Sequence, residues 1–389
     1  MPNPLLGVFY HWLGGLASAS FYLFYRGVKK WSWETYWLVG GFFSWIIAPM
    51  ALATLLVPDL WHVIAQTPRI ELFWCFFFGI LWGFGGLTYG LTMRYLGLAL
   101  GMAVVLGFCA AFGTLVPPLF HHTLLPMFGT NSGRVILFGV LVCLAGISVS
   151  GLAGTSKEKE LSEEEKLAAI KEFNFTKGMF VAVFSGVMSA CFSFGLDAGS
   201  KTLEPLAKAA LEANHGSDLW QNLPVLVVVL WGGFTTNFIW CVLLNLKNRS
   251  SHEYLNLRPS AVGEVSMAEG MMMSGAAEEK VARSTAKQAE SAGPAPLIPN
   301  YIFSAFAGTC WYMQFFFYSM GQTQMGSYAF SSWTLHMASI IIFGTLWGIY
   351  FKEWKGTSGK THALVWLGLA VLVGSTIIVG IGNYLATAH

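Results

Sequence analysis

Apolar runs of about 20 residues, almost free of charge, follow one another along the whole chain. They centre on residues 5–25, 36–57, 71–93, 97–119, 134–153, 178–198, 221–246, 300–320, 327–350 and 363–385. A helix needs roughly 20 apolar residues to cross the ~30 Å hydrocarbon layer of a bilayer. Backbone groups in lipid must be satisfied within the segment, so such runs are helices. A barrel would instead show short alternating strands. Charged residues make up only 11% of the chain, against about a quarter in a soluble domain, and nearly all lie in the connectors. The reading is an all-α, polytopic membrane protein with ten transmembrane helices. No Lys or Arg precedes the first run and it matches the other nine, so it reads as a span and not as a cleavable signal.

Lys and Arg set the orientation. Connectors after the odd-numbered runs hold 18 of the 22, and 12 against 4 remain when the long connector 247–299 is left out. The positive-inside rule puts these connectors in the cytoplasm and both termini outside. Residues 154–177 form a cytoplasmic linker. Within the insert 247–299, the low-complexity part 259–296 is rich in Ala, Glu, Ser and Gly and reads as solvated.

One sparse frame is written twice. GILWGFGGLTYGLTMRYLG (79–97) and GTCWYMQFFFYSMGQTQMG (308–326) both fit G-x2-W-x6-Y-x7-G, with every matched position 229 residues from its counterpart. Gly139 and Gly151 recur at the same offset as Gly368 and Gly380. GLASASF (15–21) resembles GVMSACF (186–192) at an offset of 171. Chance similarity among Gly- and Trp-rich helices is the plain alternative, and agreement across three helix pairs argues against it. The predicted organisation is two five-helix repeats, 1–153 and 178–389. Five is odd, so the second copy lies inverted, an arrangement whose halves can exchange conformations and open a central site to each side in turn.

At ~1.5 Å per residue, Trp82 and Trp311 fall near mid-depth, Tyr89 near the cytoplasmic end and Tyr318 near the outer end. The tryptophans are expected to form a central platform and the tyrosines to line the two exits. An interfacial belt explains tyrosines equally well, but not two mid-depth tryptophans. Ionisable groups inside the membrane are costly and mark function by default. Asp197, His11 and His336 are the candidates for moving a proton. Asp197 has Lys201 four residues on, which offers an interfacial ion pair instead. His11 fits a neutral core imidazole as well. His336 shares a face with Ser332 and Ser339. Asn237, Gln314, Ser332 and the adjacent Trp333 add polar groups among aromatics. Together they fit a polyhydroxylated ligand with apolar C–H faces, such as a sugar.

A proton moving inward through ~100 mV supplies ~2.3 kcal/mol, which supports roughly 40- to 50-fold accumulation of a neutral solute. The sequence holds no GxxxxGK[ST] phosphate loop, so ATP hydrolysis by that route is excluded. The literal GxSG at 356–359 lies in a Lys-flanked connector and HExxH is absent, which argues against an enzyme. The six cysteines stand singly in apolar runs and form no metal-like spacing. No cofactor, metal or nucleic acid is implied. Partners are the lipid bilayer, a small sugar and H+.

KKWSWE (29–34), YGLTMRYLG (89–97), QFFFY (314–318), LHM (335–337) and KEW (352–354) resemble the L-rhamnose–proton symporter family of the drug/metabolite transporter superfamily. The resemblance implies ten helices, an inverted repeat, the bacterial inner membrane and uptake of a 6-deoxy sugar with protons. It covers nearly all ten helices, with no expected family counterpart for 259–296. Two departures stand out. Tyr328-Ala329-Phe330 replaces a Tyr-Asp-Tyr pattern, and Asp197 stands where the family can carry Asn. Efflux of an amphipathic metabolite, a channel and a sugar sensor are the competing readings.

Overall fold

The computed structural model describes residues 2–160, 174–256 and 294–387. Most of the predicted linker 154–177 and of the low-complexity segment 259–296 therefore lies outside the described residues. Those described are helical, with no strand. The long helices are α1 (Pro4–Tyr25), α2 (Trp33–Leu56), α3 (Arg69–Leu96), α4 (Leu98–Phe120), α5 (Asn131–Lys159), α6 (Phe175–Ala198), α7 (Leu223–Asn248), α8 (Leu297–Thr323), α9 (Ser332–Tyr350) and α10 (Gly359–Thr387).

Eight of these are long and apolar enough to cross a membrane. The remaining two, α1 and α8, are 22 and 27 residues long, and their polar residues lower their hydropathy. They are also the helices that carry His11, Trp311 and Gln314.

Local chemistry sets the helix ends. The Asn3 side chain accepts from Leu6 N–H and Pro4 sits at the first turn of α1. Thr130 and Asn174 cap α5 and α6 in the same way. The closing glycines of the repeated frame now have a reason. Gly97 breaks α3 from α4 with φ 80°, and Gly326 follows α8 with φ 57°. Both lie in the left-handed region that a Cβ disfavours. Within α2, residues Phe43–Ile47 form a π-helical turn, the kind of one-residue bulge that recurs at functional sites.

The helices pack in a pattern that repeats. α1 packs on α8 and α9, and α6 packs on α3 and α4. α8 also packs on α2, and α3 on α7. α4 packs on α5, α9 on α10, and α5 on α10. Among these pairs, replacing each helix by the one five places along returns the same neighbours; α1 on α10 is a contact without such a counterpart. The crossings are made close by glycines at corresponding positions. Gly79 abuts Val229 and Gly232 of α7, and Gly308 abuts Gly40 of α2. Gly15 faces Ser339 of α9 where Gly186 faces Val105 of α4. Gly139 meets Val379 of α10 where Gly368 meets Ser150 of α5.

Candidate functional site

A cavity lined by α2, α3, α4, α6, α7, α8 and α9 lies between the helices. Its centre is aromatic. Trp82 and Trp311 lie nearly parallel, with ring centroids 5.8 Å apart and planes 13° from one another. Trp45 stands edge-on to Trp311 at 5.2 Å and to Trp82 at 6.4 Å. Phe315 stands edge-on to Trp82 at 5.5 Å and stacks on Phe192 at 4.3 Å. Offset and edge-to-face contacts of this kind suit the quadrupoles of the rings and hold each in one orientation.

Polar groups sit around this aromatic centre. Trp37 Nε1 donates to Asn237 Oδ1 at 3.3 Å, and the Asn237 amide nitrogen donates to Gly233 O at 2.9 Å. Trp333 Nε1 donates to Cys109 O at 3.0 Å. The Gln314 amide nitrogen, Trp311 Nε1, Trp45 Nε1 and both ring nitrogens of His336 are buried with no hydrogen-bond partner among the described residues. A buried, unpaired polar group costs about 1–3 kcal/mol. All four residues line the cavity.

Of the residues singled out from the sequence, Trp82, Tyr89, Asn237, Trp311, Gln314, Trp333 and His336 line this cavity. Tyr318 does not. Its ring is 2% exposed, held 5.3 Å from His11 and 5.2 Å from His336, with Trp333 at 5.8 Å. His11 is fully buried beside it, and neither ring nitrogen has a partner among the described residues. Ser332 is buried one residue before Trp333 and points its hydroxyl at no partner there. Asp197 lies outside the cavity, at the end of α6. Its carboxylate pairs with His121 at the end of α4, at 2.8 Å, and not with Lys201.

Sequence reasoning missed Trp37, Trp45, Phe315 and Ser189, which all line the cavity. Trp37 and Trp45 are eight residues apart, one more than two turns. The π turn between them absorbs one residue and returns Trp45 to the face of Trp37.

Comparison with known proteins settles the family. The family described as L-rhamnose-proton symport protein matches residues 1–274 and 278–385. The L-rhamnose-proton symporter of Pectobacterium atrosepticum is 34% identical over 385 residues, covering 98% of this chain and 99% of that protein. The L-rhamnose-proton symporter of Yersinia pestis is 35% identical over 381 residues, covering 97% and 98%. The chain belongs to the L-rhamnose–proton symporter family. This is a family of transporters and not of enzymes. One expectation is corrected. The match to the symporter family runs on to residue 274 and resumes at 278, so nearly all of the segment 259–296 has a family counterpart.

Proposed function

We propose that the protein imports L-rhamnose with protons across the bacterial inner membrane by alternating access. The observation that carries this reading is the stacked pair Trp82–Trp311 at the base of an enclosed cavity with unpaired donors. The paired indoles offer faces for the sugar's C–H surface. Gln314, His336 and the indole N–H groups of Trp45 and Trp311 meet its hydroxyls, with Asn237 and Trp333 in the wall. In this reading α1 and α8 also cross the membrane, giving ten spans arranged as two inverted five-helix repeats of the drug/metabolite transporter superfamily, with both termini outside. The recurrence of the packing pattern five helices along supports the repeat.

The two exits differ in a way that supports a carrier caught facing one side. Tyr89 lines the cavity, whereas its counterpart Tyr318 is packed beneath His11, Trp333 and His336. With the basic connectors inside, the cavity extends inward and the outer end is shut. The surroundings of the two tyrosines differ in chemistry as well. At the repeat offsets, His11 corresponds to Ala182 and His336 to Gly107. Tyr89 packs with Ala182. Of the two tyrosines' surroundings, only that of Tyr318 therefore carries imidazoles, so in this reading protonation acts on the outer gate and not on the inner one. His11 and His336 are the proposed coupling pair. Asp197 with His121 marks the rim where a proton first arrives.

Proteoliposomes test the reading. An imposed gradient, acidic outside, is expected to drive labelled L-rhamnose to an internal concentration well above the external one. Absence of uptake, or flux that equilibrates without concentrating, overturns it.

A further inference from the structure

α4 runs into two consecutive prolines, Pro117 and Pro118, in its last turn. A proline has no N–H and its ring pushes off the carbonyl four residues back. The carbonyls of Gly113 and Thr114 therefore lose their helical partners. The fold supplies one of them from a neighbour. The Ser193 hydroxyl of α6 donates to Gly113 O at 2.7 Å, away from solvent. Beside it, the Thr114 hydroxyl meets that of Thr334 on α9 at 2.8 Å. The Trp333 indole lies against Gly113 where a Cβ would stand. Three residues past the prolines, His121 returns the segment to α6 through its 2.8 Å contact with Asp197.

The corresponding helix end in the other half is built differently. At the 229-residue offset, Gly113, Pro117 and Pro118 become Ile342, Leu346 and Trp347 of α9, and Ser332–Tyr350 contains no proline. The position of the break matters as well. Trp333 borders the cavity, touches Tyr318 at 5.8 Å and donates to Cys109 O one turn before Gly113. The weak point of α4 thus lies level with the ring that stands between the cavity and the packed outer tyrosine.

We infer that the end of α4 beyond Gly113 is a moving element of the outer gate, hinged at Pro117–Pro118 and held shut on α6 by Ser193 at the hinge and Asp197 at the tip. The inference rests on the reading above in which this end faces outward and is closed. A helix missing two backbone bonds bends there more readily than elsewhere. Swinging it off α6 parts only two polar contacts, Ser193 from Gly113 O and His121 from Asp197. The inner exit opens without such a bend, because α9 has the N–H groups that α4 lacks.

Pro117→Ala combined with Pro118→Ala returns both N–H groups and stiffens the hinge. Proton-driven uptake of labelled L-rhamnose into proteoliposomes is expected to slow about three- to tenfold, the worth of the restored bonds. Sugar binding to the purified variant stays at the wild-type value, since the cavity is also reached from the inner side. A second test leaves the prolines in place. His121→Cys with Asp197→Cys, bridged by a short bifunctional thiol reagent, is expected to lose nearly all uptake relative to the unbridged variant. It keeps sugar binding and recovers uptake when reductant cleaves the bridge. Wild-type protein treated alike, its native cysteines buried or half-buried, gives the baseline. Unslowed uptake in the proline variant overturns the hinge, and so does full uptake in the bridged protein. Loss of sugar binding on bridging also overturns it, because the segment would then shape the cavity and not its entrance. Wild-type protein without uptake removes the import reading, and the gate with it.

Discussion

Trp82 of α3 and Trp311 of α8 meet as parallel indoles, 5.8 Å between centroids, from positions that correspond in the two halves of the chain. Each is backed by helices of the other half. Trp82 rests on Gly233 of α7, and Trp311 contacts Phe21, Trp37 and Trp45 of α1 and α2. A ligand that stacks here touches both halves at once.

Truncating either indole removes a stacking face worth about 0.5–1.5 kcal/mol. Trp311→Ala and Trp82→Ala are expected to raise the KM for L-rhamnose about three- to tenfold, with Trp311→Phe milder than Trp311→Ala. Gln314→Ala removes a donor with no other partner and is expected to weaken sugar binding by a similar factor. Uptake kinetics and direct sugar binding to purified protein check both. Unchanged constants in all of them would place the sugar elsewhere.

His336→Ala and His11→Ala are expected to separate exchange from coupling. Concentrative uptake under a gradient of one pH unit falls about tenfold, the ~1.4 kcal/mol per proton that a tenfold concentration ratio supplies. Counterflow of labelled for unlabelled sugar persists, because it needs no net proton movement. Wild-type gradient dependence in both variants would take the proton off the outer gate.

The rim pair makes a separate prediction. Asp197→Asn and His121→Gln break the 2.8 Å contact and are expected to shift the pH profile of uptake without changing sugar affinity. An unmoved profile would make the pair a structural tie between α4 and α6.

Where α5 ends and α10 begins, Glu160 accepts from Ser358 N–H at 2.7 Å and from the hydroxyls of Ser358 and Thr361 at 2.5 and 2.6 Å. The Ser358 hydroxyl first, then that of Thr361, hold its carboxyl below the ordinary glutamate range. A depressed folded value means a contribution to stability that is full above the unfolded pKa and is lost as pH falls through the folded one. Glu160→Gln is expected to lower thermal stability in detergent at neutral pH and to leave the acid end, where the wild-type carboxyl is already protonated, almost unmoved, so that the acid limb flattens. A wild-type acid limb in the variant would mean the contact carries no stability.

Glycine substitutions sort by what stands opposite. Gly79→Ala and Gly308→Ala drive a methyl into the backbone of α7 and α2 respectively, and overpacking of this kind costs about 1–3 kcal/mol. Gly344→Ala and Gly374→Ala meet nothing within 4 Å and are expected to be neutral or to gain up to about 1 kcal/mol of helix propensity. Melting temperatures of the four variants give the comparison.

Much of this arrangement was written in the sequence because lipid enforces it. Charge-free runs of bilayer length marked each long helix, and α1 and α8 were legible by length although His11, Asn300, Trp311 and Gln314 dilute their hydropathy. The doubled frame found Trp82 and Trp311 because a repeat fixes equivalent positions. Trp37 and Trp45 stayed hidden because a π turn changes the residue count per face, and a 3.6-residue period does not register it. Tyr318 was expected at an exit and is instead packed among rings. Asp197 was read beside Lys201 by helical spacing, yet His121, brought from α4 by the fold, reaches it first.

Where Gly79 lies on α7 and Gly308 on α2, backbone meets backbone with no side chain between them. Under the proposed alternating access, such a crossing would serve as a fulcrum about which helices tilt without unlocking interdigitated side chains. Both crossings sit within one turn of Trp82 and Trp311, so in that cycle the stacked indoles are expected to travel little while the helix ends swing.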